Sequence, residues 1–442
     1  MVMALIGVVS YFIYINMDSG RKGRGEDSWE NPYENWGKPG FVLLGGQGPH
    51  FHTFSFAIWP DAVIEIDTAM DLFSKHVWCS GGDGWFVRGV STGGYENTNG
   101  GYEWLIISAH NHRRTDEQYL QLLEYVEARA PTYGYQAIIR GSEVFPPHEG
   151  MIWNGLCRRE GTYPNDFACN NKTKFVQWVA GNETSQYHSI AVILHPQAGD
   201  YSGRNNISDA ISMAKAGAEM IEIFNGCWET GDDLRVNDHY KGAGEDMHRG
   251  ADGNAENYWD HILSHGLRIW GAGCDDFHGH RKGVDPVRIS RNWGGNYVWM
   301  EILGKTLDSP EDLVRRLEAG SFYVTQGVQI VNISVVDDTI TIIGDDTVDF
   351  IEAIGSVGGF VALGPLNYGD GDSGTLLKRS EGRVMKYTAD PNTPYDDIYV
   401  RFRLVNTDYD ENYYFDEHGD GGGDVYAWTQ PFFVRARKDA TS

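Results

Sequence analysis

Eight side chains able to bind metal ions stand near the ends of five apolar segments of the sequence. The first segment, GPHFHTFSF, places His50 and His52 two residues apart. Alternate side chains of an extended strand point to the same face, so the two imidazoles would project together. Imidazole is a common ligand of zinc and other transition metals. An H-x-H pair can equally be a solvated strand end, so a metal site requires further ligands elsewhere in the chain.

The remaining candidates end four more apolar segments, namely WLIISAH, AIIRGSE, SIAVILH and RIWGAGCDDFH. In chain order they are His110, Glu143 with His148 five residues later, His195, and Asp276 with His278. In α/β barrels functional residues collect at the carboxyl ends of strands, because that rim presents its loops around one shared cleft. The repeated placement of such residues at strand ends therefore predicts a metal site.

From about residue 41 the elements that would position these residues alternate between β-rich segments and helical patterns. The strand segments are FVLLGG, WLIISAH, AIIRGSEV, SIAVILHP, MIEIFNG and LRIWGAGCDD. Near-continuous apolar strands followed by helices indicate parallel strands that are covered on both faces. The class is therefore α/β, and six or so such units predict a closed barrel.

Helix ends are marked by capping residues. The segment TDEQYLQLLEYVEARAP begins with a capping residue, Thr115, and ENYWDHILSHG stops at Gly266. In SPEDLVRRLEAG, Ser309 is the expected N-cap, Pro310 the first helical residue and Gly320 the end. These signals place helices between the predicted strands.

After Gly320 the pattern changes to antiparallel β-structure. The segment VQIVNISVVDDTITIIG predicts a hairpin that turns at Asp337 and Asp338, and DDIYVRFRLVN and VYAWTQPFFVRA alternate with period two. We expect a small antiparallel β-sandwich of about 115 residues. The predicted division is an N-terminal apolar segment and linker over 1–40, a metal-binding barrel over 41–325, and the β-sandwich over 326–442.

Charge and cysteine content limit the partners and the compartment. The 442 residues carry a formal net charge of −26, which argues against nucleic acid or an anionic membrane as the main partner. Cys157 and Cys169 bracket a loop-like segment and could form a disulfide in an oxidising compartment. Four N-glycosylation sequons are compatible with an extracellular or cell-surface glycoprotein. They begin at Asn171, Asn182, Asn206 and Asn332.

The order of the motifs resembles the PHP (polymerase and histidinol phosphatase) superfamily of metal-dependent hydrolases. That order is H-x-H, a histidine followed by asparagine, G-x-E with a later histidine, HP, and D-x-H. The segments YWDHILSHGLRIWGAGCDDFHG, LEAGSFYVTQG and YAWTQPFFV resemble the CehA/McbA branch, which carries a C-terminal β-sandwich. The resemblance covers roughly residues 41 to 436. It implies a distorted (β/α)7 barrel with two or three divalent ions at its carboxyl rim.

The resemblance also implies which residues bind each ion. The first ion would be bound by His50, His52, Glu143 and Asp276; Glu143 would bridge to a second ion held by His148 and His195; and a third would rest on His110 and His278. Histidine-rich ligation suits Zn, Mn or Fe better than Mg or Ca. A carboxylate-bridged pair of ions lowers the pKa of a shared water. Asp276 is then the candidate proton acceptor, with His278 and His110 as further catalytic residues.

Two departures from the family pattern concern the third ion. Phe56 and Ala57 stand where the family has an aspartate or histidine, and Asp61 is the nearest carboxylate. Ala109 replaces an aspartate that would support the ligand beside it. We therefore expect two tightly bound ions and a third that is weak or absent.

Basic residues beside the motifs indicate the kind of substrate. Arg113, Arg204 and Arg281 flank the predicted ligands in an otherwise acidic chain, which favours a small anionic substrate such as a phosphate ester. Their other interpretation is that they balance local acidic loops. Members of the family also cleave carboxyl esters and carbamates, so the fold does not determine the scissile bond.

Two functions follow from these patterns. The first is a secreted or cell-surface hydrolase acting on ester bonds through its metal centre. The alternative is a structural or assembly protein that retains the barrel and self-associates. The uncharged segment VMALIGVVSYFIYI, residues 2–15, is shorter than the roughly 20 residues that span a bilayer. We expect it to join copies of the chain into a homo-oligomer; the alternatives are that it packs on its own chain or anchors the chain in a membrane.

Overall fold

The computed structural model shows a mixed α/β protein, as the sequence predicts at that level. It describes residues 29–34, 36, 42–48, 66–67, 70–71, 74, 102–108, 116–144, 149–153, 171–181, 189–196, 207–225, 255–274, 298–304, 306–356, 364–365, 374–388, 399–407 and 425–434. The apolar segment 2–15 lies outside this range, so its predicted role in assembly stays a prediction. Among the described helices, none has the length and hydropathy needed to cross a membrane.

The α-helices described over their full length are α1 (Asp116–Arg129), α2 (Lys172–Gly181), α3 (Ile207–Ala216), α4 (Ala255–Ser264) and α5 (Pro310–Glu318), and a 3-10 helix, Ala130–Tyr133, follows α1. Gly266 and Gly320 lie two residues after the ends of α4 and α5, as the sequence predicts, whereas Thr115 lies outside the described residues. The Ser309 hydroxyl oxygen accepts a hydrogen bond from the backbone N–H of Asp312 at 3.2 Å, which confirms the cap of α5. After α5 the chain turns at Gly320 with φ 68°, and a Cβ there would lie 2.8 Å from the Trp270 ring.

The first ten strands run from the N-terminal segment to the end of the predicted barrel. They are β1 (Trp29–Glu30), β2 (Val42–Gln47), β3 (Trp104–Ile107), β4 (Ala137–Val144), β5 (Glu149–Trp153), β6 (Ser189–Ile193), β7 (Met220–Asn225), β8 (Trp270–Cys274), β9 (Trp299–Gly304) and β10 (Phe322–Thr325). Each of the six strand segments predicted from the sequence overlaps one of them. The predicted parallel arrangement holds for β2–β3–β4 and for β6–β7–β8.

The remaining strands form the C-terminal part. They are β11 (Ile330–Val336), β12 (Thr339–Gly344), β13 (Phe350–Ser356), β14 (Gly364–Pro365), β15 (Thr375–Glu381), β16 (Val384–Thr388), β17 (Tyr399–Asn406), β18 (Val425–Thr429) and β19 (Phe432–Val434). The predicted hairpin is confirmed, since β11 pairs with β12 across Asp337 and Asp338. The positive φ of Asp337, 55°, is a conformation that aspartate tolerates in turns.

The direction of the strands determines which of their ends meet. Strand β5 is antiparallel to both β4 and β6, so β4 and β6 run the same way. With the parallel pairs, this gives β2, β3, β4, β6, β7 and β8 a common direction. Their carboxyl ends therefore lie at one edge of the sheet. Strand β9 is antiparallel to β2. From β9 the sheet continues through β10 and β18 to the C-terminal strands.

The common direction is accompanied by nearly complete burial of the strands. All residues of β3 and of β6 are buried. Leu122, Leu123 and Val126 on α1, and Phe175 and Val179 on α2, belong to the same apolar core. Helices that bury an apolar stripe against such strands explain why the strands lack the polar alternation of half-exposed sheets.

A second core joins the three-stranded sheet β11–β12–β16 to the C-terminal part of the large sheet. Trp29 and Tyr33, which lie in the stretch predicted to be a linker, are buried in this core. Strand β1 pairs with β19, and the Tyr33 hydroxyl donates a hydrogen bond to the carbonyl of Phe322 at 2.8 Å. The backbone N–H of Gln430 donates to the same hydroxyl at 2.6 Å. Residues 29–33 are therefore an integral part of the C-terminal packing.

A buried ionic network connects α4 to β13 and β17. The Arg401 guanidinium, fully buried, donates to both carboxylate oxygens of Asp260 at 2.8 and 2.7 Å and lies 2.8 Å from Glu256. Arg403 bridges Glu256 and Glu352. Burial alone would raise the pKa of Glu256, but the guanidiniums of Arg403 and Arg401 outweigh it and lower the pKa to about 2. The network thus links the helix before β8 to the antiparallel strands.

Buried tyrosines predict a loss of stability at high pH. Burial raises the pKa of Tyr387 to about 12 and raises that of Tyr399 well above 10. The unfolded chain releases these protons near pH 10 and the folded chain does not. The contribution of these tyrosines to the free energy of unfolding should therefore be constant below about pH 10. It should then fall toward pH 12 by about 1.4 kcal/mol per pH unit for each such group.

Denaturant unfolding measured from pH 8 to 12 checks this expectation. The control is Tyr387→Phe, which preserves the buried ring and removes one titrating group. Its stability should fall less steeply between pH 10 and 12. A free energy of unfolding that stays constant to pH 12 in the unchanged protein would contradict the expectation.

Candidate metal centre

Two of the predicted ligands, Glu143 and His195, lie at or just after the carboxyl ends of strands that share the common direction. Glu143 is the residue before the last of β4, and its backbone pairs with Gly150 of β5. His195 follows the end of β6 by two residues. Parallel strands that end at one edge present the residues after them to a shared region. The described part of the chain therefore assigns Glu143 and His195 to the same edge.

All of the other predicted site residues lie outside the described residues. For the metal ligands these are His50, His52, His110, His148, Asp276 and His278. The predicted substrate-binding residues Arg113, Arg204 and Arg281 and the predicted disulfide partners Cys157 and Cys169 lie outside them as well. Their roles therefore stay predictions, supported by the strands that precede them.

The ends of β2 and β8 touch at this edge. A Cβ on Gly48, the residue after β2, would lie 2.2 Å from the carbonyl oxygen of Gly273 and 2.8 Å from the Cys274 sulfur. Only glycine allows so close an approach of two backbones. Because β2 and β8 are the first and last strands of the common direction, the sheet curves until these two strands meet.

The contact between β2 and β8 bears on two of the predicted ligands. His50 follows Gly48 by two residues, and Asp276 follows Cys274 by two residues. The chain therefore enters the H-x-H segment and the D-x-H segment from neighbouring points. Sequence alone puts these segments more than 200 residues apart. The approach of Gly48 to Gly273 and Cys274 is a property of the curved sheet.

The backbone of His195 has an uncommon conformation. Its φ is 27°, in the left-handed range, although the residue is not glycine and precedes a proline. A residue before proline normally has an extended conformation with φ near −120°. Such a conformation costs on the order of 1–3 kcal/mol and persists only where the surroundings hold it. Leu194 and Pro196 on either side are buried, and His195 itself is half-buried.

A buried carboxylate holds this backbone. Strands β6 and β7 pair at Val192 with Met220 and at Ile193 with Ile221, where the pairing ends. Beyond that point the side chain of Glu222, fully buried in β7, accepts a hydrogen bond from the backbone N–H of His195 at 2.5 Å. The Glu222 carboxylate thus accepts the hydrogen bond of the His195 N–H beyond the last pair of residues in the β6–β7 ladder. Sequence reasoning missed Glu222, whose signal is a single acidic residue inside the apolar segment MIEIFN.

The C-terminal strands hold β8 from the other side. The side-chain amide of Gln430 is fully buried and pairs with both backbone groups of Gly271 in β8. It accepts from the Gly271 N–H at 2.8 Å and donates to the Gly271 carbonyl at 2.8 Å. The amide therefore acts as one more strand residue beside β8. This contact anchors the strand that leads to Asp276.

Comparison with known proteins gives limited similarity. No protein-family model matches the chain, and no curated protein matches it. Among solved structures, it resembles the crystal structure of a two-domain protein from Bacteroides vulgatus ATCC 8482, described as containing a predicted PHP-like metal-dependent phosphoesterase. The sequence identity is 12%, the TM-score is 0.37, and the match covers 92% of this chain and 99% of that chain. Inferences about function therefore depend on the residues and strand topology of this chain.

Proposed function

We propose that the chain is a metal-dependent hydrolase of the PHP type that cleaves an ester bond at the common carboxyl edge of its parallel strands. The contact of Gly48 with Gly273 and Cys274 carries this proposal. It brings the chain to neighbouring points immediately before His50 and before Asp276. Ligands on the first and last strands of a sheet can bind one ion only if those strands meet.

The residues present fit a centre of two divalent ions. Imidazole and carboxylate donors at one edge make a set suited to Zn, Mn or Fe. The first ion would use His50, His52, Glu143 and Asp276, the second Glu143, His148 and His195, and a weak third His110 and His278. When bound, such ions activate a water molecule and neutralise charge on the ester oxygens. Asp276 would accept a proton, with His278 and His110 placed to assist.

The finer fold belongs to the same proposal. A distorted (β/α)7 barrel over 41–325 would be closed by the contact between the ends of β2 and β8. A β-sandwich over 326–442 is supported by the core that the sheet β11–β12–β16 shares with the C-terminal strands of the large sheet. This architecture would place the chain in the CehA/McbA branch of the superfamily.

The substrate in this proposal is a small anionic ester. Arg113, Arg204 and Arg281 would bind its charge beside the ions, within a chain whose net charge is −26. A guanidinium binds phosphate or carboxylate oxygens through two parallel hydrogen bonds. Phosphoesters are therefore the first class to test, followed by carboxyl esters and carbamates.

An extracellular or cell-surface location is part of the proposal. It is supported by Asn171, the first residue of a sequon, which is exposed at the start of α2. The side-chain oxygen of Asn171 accepts a hydrogen bond from the backbone N–H of Lys174. The side chain is therefore accessible to a modifying enzyme, whereas Asn332 is half-buried in β11.

Hydrolysis measured before and after metal removal tests the function. The purified protein is incubated with a chelator, dialysed, and assayed with aryl phosphoesters and aryl carboxyl esters. We expect hydrolysis of at least one ester class to disappear with the metal and to return with added Zn, Mn or Fe. The Asp276→Asn variant should stay inactive after metal addition. Absence of hydrolysis at every metal and substrate, or hydrolysis that survives chelation, would contradict the proposal.

The alternative function is an assembly protein that retains the barrel. Its support in the sequence is that Phe56, Ala57 and Ala109 replace residues of the family pattern. Removal of residues 1–17 followed by light scattering tests its central feature. A shortened chain that becomes monomeric supports assembly through residues 2–15. A shortened chain with the oligomeric state of the full chain contradicts it.

A further inference from the structure

Glu222 is a carboxylate in a buried position that would ordinarily be occupied by an apolar side chain. It lies in β7 among buried apolar residues and is itself fully buried. Taking a carboxylate out of water is unfavourable unless hydrogen bonds compensate it. One such bond comes from the backbone N–H of His195, whose φ of 27° needs support from its surroundings. The buried carboxylate of Glu222 and the uncommon backbone conformation of His195 are therefore joined by a direct hydrogen bond.

The pairing of β7 with β8 is irregular at the same point. Glu222 pairs with Ala272, but the next register pair is Phe224 with Gly273, so β7 contains a bulge directly after Glu222. Bulges reorient side chains and are frequent beside active sites. The bulge, the buried carboxylate and the positive φ of His195 lie at the edge where β6 and β7 end. The bulge lies beside Glu222, and Glu222 contacts the backbone of His195.

We propose that Glu222 is a positioning residue that holds the backbone of His195 in the conformation required for its imidazole to bind the second metal ion. This inference rests on the proposed function. Glu222 acts through His195 and is not itself a ligand in the proposed centre. Its contribution depends on the oxygen that accepts the hydrogen bond, so glutamine can substitute for it and an apolar residue of similar size cannot.

The test compares Glu222→Leu with Glu222→Gln in the full-length protein. The first measurement is binding of Zn²⁺ to the metal-free protein, by competition with a chromogenic chelator. The second is amide hydrogen exchange of peptides covering residues 189–196 without metal. The matched control is Glu301→Leu, which removes another buried glutamate, one that accepts a bond from the Trp299 indole N–H at 2.8 Å. Circular dichroism shows whether each variant is folded.

We expect Glu222→Leu to weaken one of two Zn²⁺ binding steps by about 10–100-fold, the range typical for loss of a residue that orients a ligand. The other step should stay unchanged. Exchange in residues 189–196 should become faster in the metal-free protein. Glu222→Gln should preserve the affinity and the slow exchange, and Glu301→Leu should leave both binding steps unchanged.

Several results would overturn the proposal. Wild-type affinity and exchange in Glu222→Leu would show that His195 does not depend on the carboxylate. Equal loss in Glu222→Gln would show that the negative charge, and not the acceptor oxygen, is required. If Glu222→Leu does not fold, the Zn²⁺ affinity of Glu222→Gln and its hydrogen exchange over residues 189–196 decide. An unchanged protein that binds none of Zn²⁺, Mn²⁺ and Fe²⁺ would end the proposed function itself, and this inference with it, whereas normal binding in all variants ends the inference alone.

Discussion

Arg401→Met should lower the free energy of unfolding by about 3–5 kcal/mol, among the largest effects of any single substitution in the described residues. The variant removes a buried guanidinium, so Asp260 becomes a buried carboxylate without its counter-charge and Glu256 keeps only Arg403. Breaking a buried ion pair from one side typically costs this much, because the remaining charge is desolvated. The Tyr399 hydroxyl, which donates to Asp260 at 2.9 Å, compensates only part of the loss. Urea unfolding at pH 7 measures the change.

The matched control is Arg383→Met. Arg383 pairs with Asp346, and both side chains are about half exposed, with relative accessibilities of 50% and 55%. An exposed pair of this kind contributes about 0–1 kcal/mol. The double variant Arg401→Met/Asp260→Leu should recover part of the stability, since it removes one of the uncompensated charges. Equal stabilities of Arg401→Met and Arg383→Met would show that the buried network does not link α4 to the antiparallel strands.

His195→Ala should reduce ester hydrolysis by more than about 100-fold, because loss of a residue that only orients a ligand already costs 10–100-fold. His195 follows β6 at the carboxyl edge of the parallel strands, to which we assign the proposed centre, and its backbone has an uncommon conformation. The expected effect is on metal content and rate together, with little change in the unfolding midpoint. Rates and bound metal are measured on the same preparations.

His265→Ala is the control for removing a histidine. His265 is exposed after α4, and its Nδ1 lies 2.8 Å from the backbone carbonyl of His261. It has no place in the proposed centre, so its removal should leave both metal content and rate at the wild-type value. If His195→Ala retains wild-type metal content and rate, the proposed second ion is not bound there.

Local sequence patterns determine most of the helices and strands, and the sequence was sufficient to predict them. The apolar segments before His110 and His195 are strands β3 and β6, and the Ser309 cap begins α5 as predicted. Strand β5 was missed because its five residues, EGMIW, begin with glutamate and glycine and carry no alternation. Such a strand is defined by its neighbours β4 and β6, which local sequence cannot identify.

Partners distant in the sequence account for the rest. Trp29 and Tyr33 read as part of a linker because the residues that bury them, such as Phe432, lie about 400 positions later. The conformation of His195 was also missed, since a residue before proline favours an extended backbone. It depends on Glu222, a side chain from the next strand. The strand-end pattern predicts which residues belong to the site, whereas their support comes from tertiary contacts.

Elemental analysis of the full-length protein tests the central claim most directly. The protein is loaded separately with Zn, Mn and Fe, passed through gel filtration, and analysed for metal per chain. The account predicts about two tightly bound ions of at least one metal, with the third weak or absent because Phe56 and Ala57 replace the usual ligand. It also predicts that Asp276→Asn binds fewer. A chain that retains no ion of any of the three metals after gel filtration would contradict the account.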